Sequence, residues 1–138
     1  MPDPLYLVDT SVFNRAHHEV VGQRIERLML TGKLWTCRVV DIEFVFGSRA
    51  HDVAEVIEER RAINEAPITP AVMDRALEVI GLLAHAGMHR SGKPADLIIA
   101  AAAEAMGLTV LHYDADFTRI SEVTGQPVEW VAPPGILP

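Results

Sequence analysis

Five acids stand where a carboxylate could meet a substrate or a cation: Asp9, Glu43, Asp96, Asp114 and Asp116. Asp9 closes the apolar run Leu5-Tyr6-Leu7-Val8 and is followed by Thr10 and Ser11. Such a run reads as a buried parallel strand, and in open α/β sheets ligands collect beyond the carboxyl ends of the strands. Asp9 suits a helix N-cap equally well, a position that favours Asp, Ser and Thr. The stretch Leu111-His112-Tyr113-Asp114-Ala115-Asp116-Phe117 repeats the pattern, an apolar strand running into acids. Two strands of one parallel sheet, each ending in Asp, bring their carboxylates to the same edge.

Asp96 opens a segment, 96–103, that is apolar on every side after its first residue and therefore belongs in the interior. In the first turn of that helix, the dipole and unpaired backbone N–H groups favour an ionised carboxylate, the form that ligates metal. A plain N-terminal helix acid is the other reading. Glu43 lies in the segment 39–46, apolar around most of its circumference, where burial without a partner is costly. It either faces a partner or occupies the one exposed edge, and Asp41, next to the helix start, is the better surface candidate. Four carboxylates in one cleft repel and raise one another's pKa unless a cation sits among them. Oxygen donors without Cys, and with only scattered His, suit Mg²⁺ or Mn²⁺ better than Zn²⁺. His17, His18, His51, His85, His89 and His112 show no pattern tying one to a nucleophile, so no Ser-His-Asp or Cys-His arrangement competes. Arg15 follows Asp9, and His89, Arg90 and Lys93 precede Asp96; these basic groups could reach a phosphate rim or form a solvated loop.

The elements that must position these residues follow from periodicity. Residues 5–8 and 34–37 read as strands, with a helical region between them that Gly22 divides and Gly32 ends. Residues 39–49 form a helix ending near Gly47, and 51–63 another, whose charge run Glu55, Glu58, Glu59, Arg60 and Arg61 reads as a solvated face. Thr69-Pro70 opens the clearest helix, with a threonine N-cap, proline at the first helical position and the stripe Val72, Ala76, Val79, Ile80 and Leu83. Pro94 starts a helix through Met106; 108–112 is a strand, 117–124 a short helix and 128–131 a last strand. Strands separated by helices argue for a parallel sheet with helices on its faces. Val20, Val21, Met29 and Leu30 are more apolar residues than one inward stripe requires, an expected exposed patch.

With 138 residues the chain fits one domain able to bury a core without metal or disulfide staples. The single cysteine, Cys37, fits a reducing compartment and reads as a small core residue. The start lacks the basic region of a signal peptide, and the longest apolar run, 97–103, is too short to span a bilayer. A cytoplasmic protein without a membrane role is expected. The net charge of −7 weighs against non-specific nucleic-acid binding, which rests on basic surface. Setting the five acids aside leaves 14 of the 19 acids against 12 Lys and Arg, a nearly balanced remainder.

The LVDTS start, the lone Glu43 in an apolar helix, the PADLIIAAAA helix and the HYDADF strand end together resemble a PIN-domain ribonuclease, most of all the VapC toxins of bacterial toxin–antitoxin pairs. The resemblance spans essentially the whole chain. It implies a PIN-like three-layer α/β/α fold with a central, mostly parallel four- to five-stranded sheet, in a domain over residues 1–132 followed by a Pro-rich tail over 133–138. It also implies a Mg²⁺-dependent endoribonuclease in which Mn²⁺ can substitute. Asp9 and Asp96 match the principal metal ligands, Glu43 and Asp114 the other catalytic acids, Asp116 a further acid beside the metal, and Ser11 the hydroxyl that hydrogen-bonds into the cluster. Arg15, Arg90 and Lys93 are the candidate substrate-binding residues. A cognate VapB-like antitoxin that blocks the acids, and a homodimer formed through helical faces, are the implied partners. Phe44 and Phe46 depart from the family's smaller surroundings of the Glu, a difference expected to bear on packing or partner fit.

Rival readings come from other classes. A phosphatase of the haloacid-dehalogenase type needs a second Asp two residues after Asp9, where Ser11 stands, and a phosphoryl-aspartate receiver needs a Lys after the late strands. A PIN fold whose metal site is idle and whose business is its partner would lack some of the acids; all are present.

Overall fold

The computed structural model describes residues 3–138, and its centre is a five-stranded parallel sheet. β1 (Tyr6–Val8), β2 (Leu34–Thr36), β3 (Asn64–Glu65), β4 (Thr109–His112) and β5 (Val128–Trp130) lie in the order β3-β2-β1-β4-β5. β1 pairs with β2 through Tyr6↔Leu34 and with β4 through Leu7↔Val110 and Val8↔Leu111. From β1 the chain builds outward to β2 and β3, then crosses back to place β4 on the other side of β1. The carboxyl ends of β1 and β4 therefore flank the point where the winding reverses, the crevice in which open α/β sheets bind ligands.

Alternation along the strands supplies two cores. Leu7 and Val110 face α5 (Pro70–His85), α6 (Pro94–Ala105) and α7 (Ala115–Thr124), packing with Leu83, Ile99, Phe117 and Ile120. Tyr6, Val8 and Leu111 face α1 (Thr10–Phe13) and α2 (Glu19–Leu30), packing with Val12, Val21 and Leu28. α3 (Arg38–Phe46) and α4 (Val53–Arg61), joined through a 3₁₀ turn at Ala50–Asp52, connect β2 to β3. This is the expected three-layer arrangement, with every strand pair parallel. Among the described residues no helix is long and apolar enough to cross a membrane.

Several local expectations change. The break between α1 and α2 falls at residues 14–18, and Gly22 lies inside α2. A Cβ there would meet the Ala16 carbonyl oxygen at 2.8 Å, so this glycine permits a close approach rather than ending a helix. Val21 is buried, while Val20, Met29 and Leu30 are exposed as expected. Ile80 leaves the stripe of α5 for its exposed edge, though Thr69 caps that helix as foreseen, accepting from the Val72 N–H at 3.2 Å. β3, a two-residue edge strand without β-branched residues, gives no pattern to read. α7 starts two residues early because Asp114 caps it. The tail, read from its prolines as extended or loosely held, is fastened to Tyr113, whose Oη accepts from the Leu137 N–H at 2.8 Å and donates to the Pro133 carbonyl at 3.2 Å.

Candidate active site

Asp9 leaves β1 as a buried residue whose backbone N–H donates to the Leu111 carbonyl at 2.9 Å. Its Oδ2 accepts from the Ser11 N–H at 3.0 Å, so Asp9 caps α1 and also lines the cleft. Ser11 Oγ in turn accepts from the Tyr113 N–H at 2.9 Å, stitching the ends of β1 and β4 together across 102 residues of chain. On β4's side, Asp114 Oδ1 accepts from the Asp116 N–H at 3.0 Å, which turns Asp114 toward the cleft and puts Asp116 in the first turn of α7.

Asp96 enters from α6. Asp96, Asp114 and Asp116 each offer a carboxylate oxygen, and the three lie within 4.8 Å of one another. Lys93 Nζ stands 3.4 Å from Asp114 Oδ2 and 3.9 Å from Asp116 Oδ2, and Arg119 holds Asp116 Oδ1 at 3.0 Å. Asp96 Oδ2 is buried with no hydrogen-bond partner among the described residues. A buried carboxylate oxygen is seldom left unsatisfied, and an all-oxygen donor set facing such an atom fits a hard divalent cation.

Electrostatics agree. Burial, reinforced by Asp9 and Asp114, pushes the Asp96 carboxyl up to about 7 against the opposing pull of Lys93. The helix N-terminus, expected to keep Asp96 ionised, is outweighed by desolvation and like charge. Asp9 is likewise raised, by burial first and by Glu43 as well, with hydrogen bonds from Ser11 opposing. A cation among these groups would favour their ionised forms.

Asp41 leaves the surface expected of it, and Glu43 takes the exposed edge that was one of its two readings. Asp41 is buried, held by Thr36 Oγ1 at 2.7 Å, Arg38 at 2.7 Å and Arg60 at 2.9 Å. Glu43 is exposed on the cleft wall, where Thr10 Oγ1 donates to its Oε1 at 3.0 Å. Residues two apart on a helix face nearly opposite ways, so turning Asp41 inward turns Glu43 out. The apolar circumference that suggested a buried helix is instead partly solvent-facing, with Ile42 68% and Phe46 91% exposed.

Asp9, Glu43, Asp96 and Asp114 thus line one cleft of about 480 Å³ together with Ser11, Arg15 and Lys93, with Asp116 adjoining. Arg15 lies 4.6 Å from the centre of the Tyr113 ring and donates to the Ser11 carbonyl at 2.8 Å. Arg90 is exposed and outside the lining. Thr10, Asn14 and Tyr113 also line the cleft and escaped sequence reading. The four-residue step from Thr10 to Asn14, one helical face, was the available signal for two of them.

The family model described as PIN domain matches residues 6–123. Ribonuclease VapC21 of Mycobacterium tuberculosis is 46% identical over 132 residues, 94% of this chain and 96% of that protein. Ribonuclease VapC18 of the same organism is 37% identical over 136 residues, 96% of this chain and 99% of that protein. Among solved structures, DNA-bound VapBC from Salmonella typhimurium aligns with a TM-score of 0.75 at 19% identity, over 94% of this chain and all of that one, a likeness of fold.

Proposed function

The chain belongs to the PIN-domain family, within its VapC group, and from that premise we propose that it is the toxin of a toxin–antitoxin pair, a Mg²⁺-dependent endoribonuclease that hydrolyses RNA phosphodiester bonds in the cytoplasm. The observation that carries this reading is the convergence of Asp9, Glu43, Asp96 and Asp114 from β1, α3, α6 and the end of β4 around an unpartnered buried oxygen of Asp96.

Asp9, Asp96 and Asp114 hold the cation, with Glu43 and Asp116 completing the cluster. Mg²⁺, or Mn²⁺ in its place, supplies Lewis acidity toward water and charge relief on the phosphate. Glu43, exposed and oriented by Thr10, is the carboxylate placed to accept the proton of the attacking water. Ser11 keeps the two strand ends, and so Asp9 and Asp114, in register. Lys93 and Arg15 at the rim hold the phosphodiester, and Arg90, farther along the loop, meets RNA beyond the cleft. Unpaired nucleotides enter such a cleft most readily.

The VapB-like antitoxin occupies the groove between α3 and α4, where Ile42, Val45, Phe46 and Ile57 are rimmed by Arg38 and Arg61. That lining suits an amphipathic segment with acidic edges, and Glu43 on the same helix lets such a segment reach the cleft. The exposed Met73, Leu77 and Ile80 on α5, with Val20, Met29 and Leu30 on α2, supply apolar faces for a homodimer.

Purified protein is expected to cut single-stranded RNA with Mn²⁺ or Mg²⁺, and Asp9→Asn and Asp96→Asn to abolish the cut. Equal cleavage by the variants would mark a contaminant, and no cleavage by wild type would favour an idle, partner-binding PIN domain. Analytical ultracentrifugation showing a monomer at micromolar concentration would remove the dimer.

A further inference from the structure

We infer that Arg60, which touches neither the cleft nor any acid in it, is a positioning residue that holds Glu43 and Thr10 in reacting geometry. This rests on the ribonuclease reading and assigns a role outside the acid cluster. Arg60 was expected on a solvated face of α4; it is 4% exposed. Its guanidinium carbon lies 4.7 Å from the centre of the Phe13 ring and 4.5 Å from that of Phe44. The two rings meet edge to face at 5.2 Å. Around its edge, Nε donates to Asp41 Oδ1 at 2.9 Å and an Nη donates to Thr36 Oγ1 at 3.0 Å. One planar cation thereby joins α1, α3, α4 and β2.

The identity of the two rings decides what this does. Phe13 belongs to α1, which also carries Thr10; Phe44 follows Glu43 directly on α3. The Thr10–Glu43 hydrogen bond at 3.0 Å spans the same two helices whose rings Arg60 covers. α1 is a single turn of four residues, too short to hold its own geometry, so its placement is set by what packs on it. Fastening α3 to α4 alone would need only the Asp41 pair. The contact with Phe13 reaches further, to the helix that orients the Glu43 carboxylate. A forked cation is needed for this, because an ammonium that pairs with Asp41 cannot also reach Thr36 while staying beside both rings.

Arg60→Lys, which keeps the charge and loses the plane, separates positioning from simple attachment. In RNA-free, cation-free protein, the ¹³C-carboxyl resonance of Glu43, identified by its loss in Glu43→Gln, is expected to move toward its position in Thr10→Val. On single-stranded RNA with Mn²⁺, kcat is expected to fall roughly tenfold with KM within about twofold, a fraction of what a well-placed base contributes. In a Thr10→Val background the Arg60→Lys substitution should cost kcat little more. An unmoved Glu43 resonance, or kcat losses that multiply in the double variant, overturns the inference and leaves Arg60 a packing residue. Should Arg60→Lys fail to fold, Phe44→Leu removes one ring of the stack and carries the same expectations. If wild type cuts no RNA, the ribonuclease reading falls, and the Glu43 resonance still decides the role of Arg60.

Discussion

Asp41 and Asp96 are equally hidden, 5% and 7% exposed, each in the first turn of a helix, and they live in opposite company. Asp41 is surrounded by donors: Thr36, Arg38 and Arg60 all within 2.9 Å of its oxygens. Asp9, Asp114 and Asp116 outnumber Lys93 around Asp96, and its Oδ2 has no donor among the described residues. Burial therefore does not mark the functional acid; the sign of its neighbours does. A satisfied buried carboxylate joins elements together, whereas a frustrated one is held in place by the rest of the fold and is the kind a cation would relieve.

The comparison breaks most visibly on substitution. Asp96→Asn should take RNA cleavage below detection in a gel assay while leaving the cation-free protein at least as stable to urea as wild type, because it removes an unfavourable charge. Asp41→Asn should do the reverse. Weakening one partner of a buried, fully bonded pair costs up to about 3–5 kcal/mol, read as a lower urea midpoint, with cleavage still measurable at a temperature where the protein is folded. Loss of activity by Asp41→Asn together with a retained midpoint would reverse the assignment.

Acidity sharpens the same contrast. The folded-state pKa of Asp96 is about 7, above its ordinary value of 3.8, so the folded protein binds that proton more tightly than the unfolded chain. Its stabilising contribution is present below pH 3.8 and is lost as pH rises through 7. In a chelator, thermal melts should therefore show a downward slope in Tm between pH 5 and 8 that Asp96→Asn flattens. Mn²⁺ should oppose that slope, since the cation binds the ionised carboxylate. The smallest effect belongs to Lys93, whose side chain is exposed: Lys93→Met should shift stability by less than about 1 kcal/mol, while raising the KM for RNA in steady-state cleavage.

Much of this site was legible along the chain because strand ends are written locally. Two apolar runs ending in Asp9 and Asp114 need only a parallel sheet to meet, and the apolar segment behind Asp96 forces its helix into the interior. Asp41 was misassigned, and Glu43 left open, for the complementary reason. Apolar residues at 42, 45 and 46 fill α3 whichever way it turns, and the side that faces inward carries Asp41, bonded to Thr36, Arg38 and, nineteen residues away, Arg60. Arg60 itself sits in a run of five charges that, read alone, faces water.

The amino-acid order by itself determined four of the five strands, the Asp9 and Thr69 caps and which acids end at the sheet's carboxyl edge, since these depend on backbone preference and on neighbours a few positions away. Tertiary structure alone decided which buried acid is paired, which way α3 turns, and that an arginine on a distant helix lies against the ring beside Glu43. Those outcomes depend on contacts between segments that no local pattern encodes, because a side chain's charge, unlike its helical period, acquires meaning only from what folds against it.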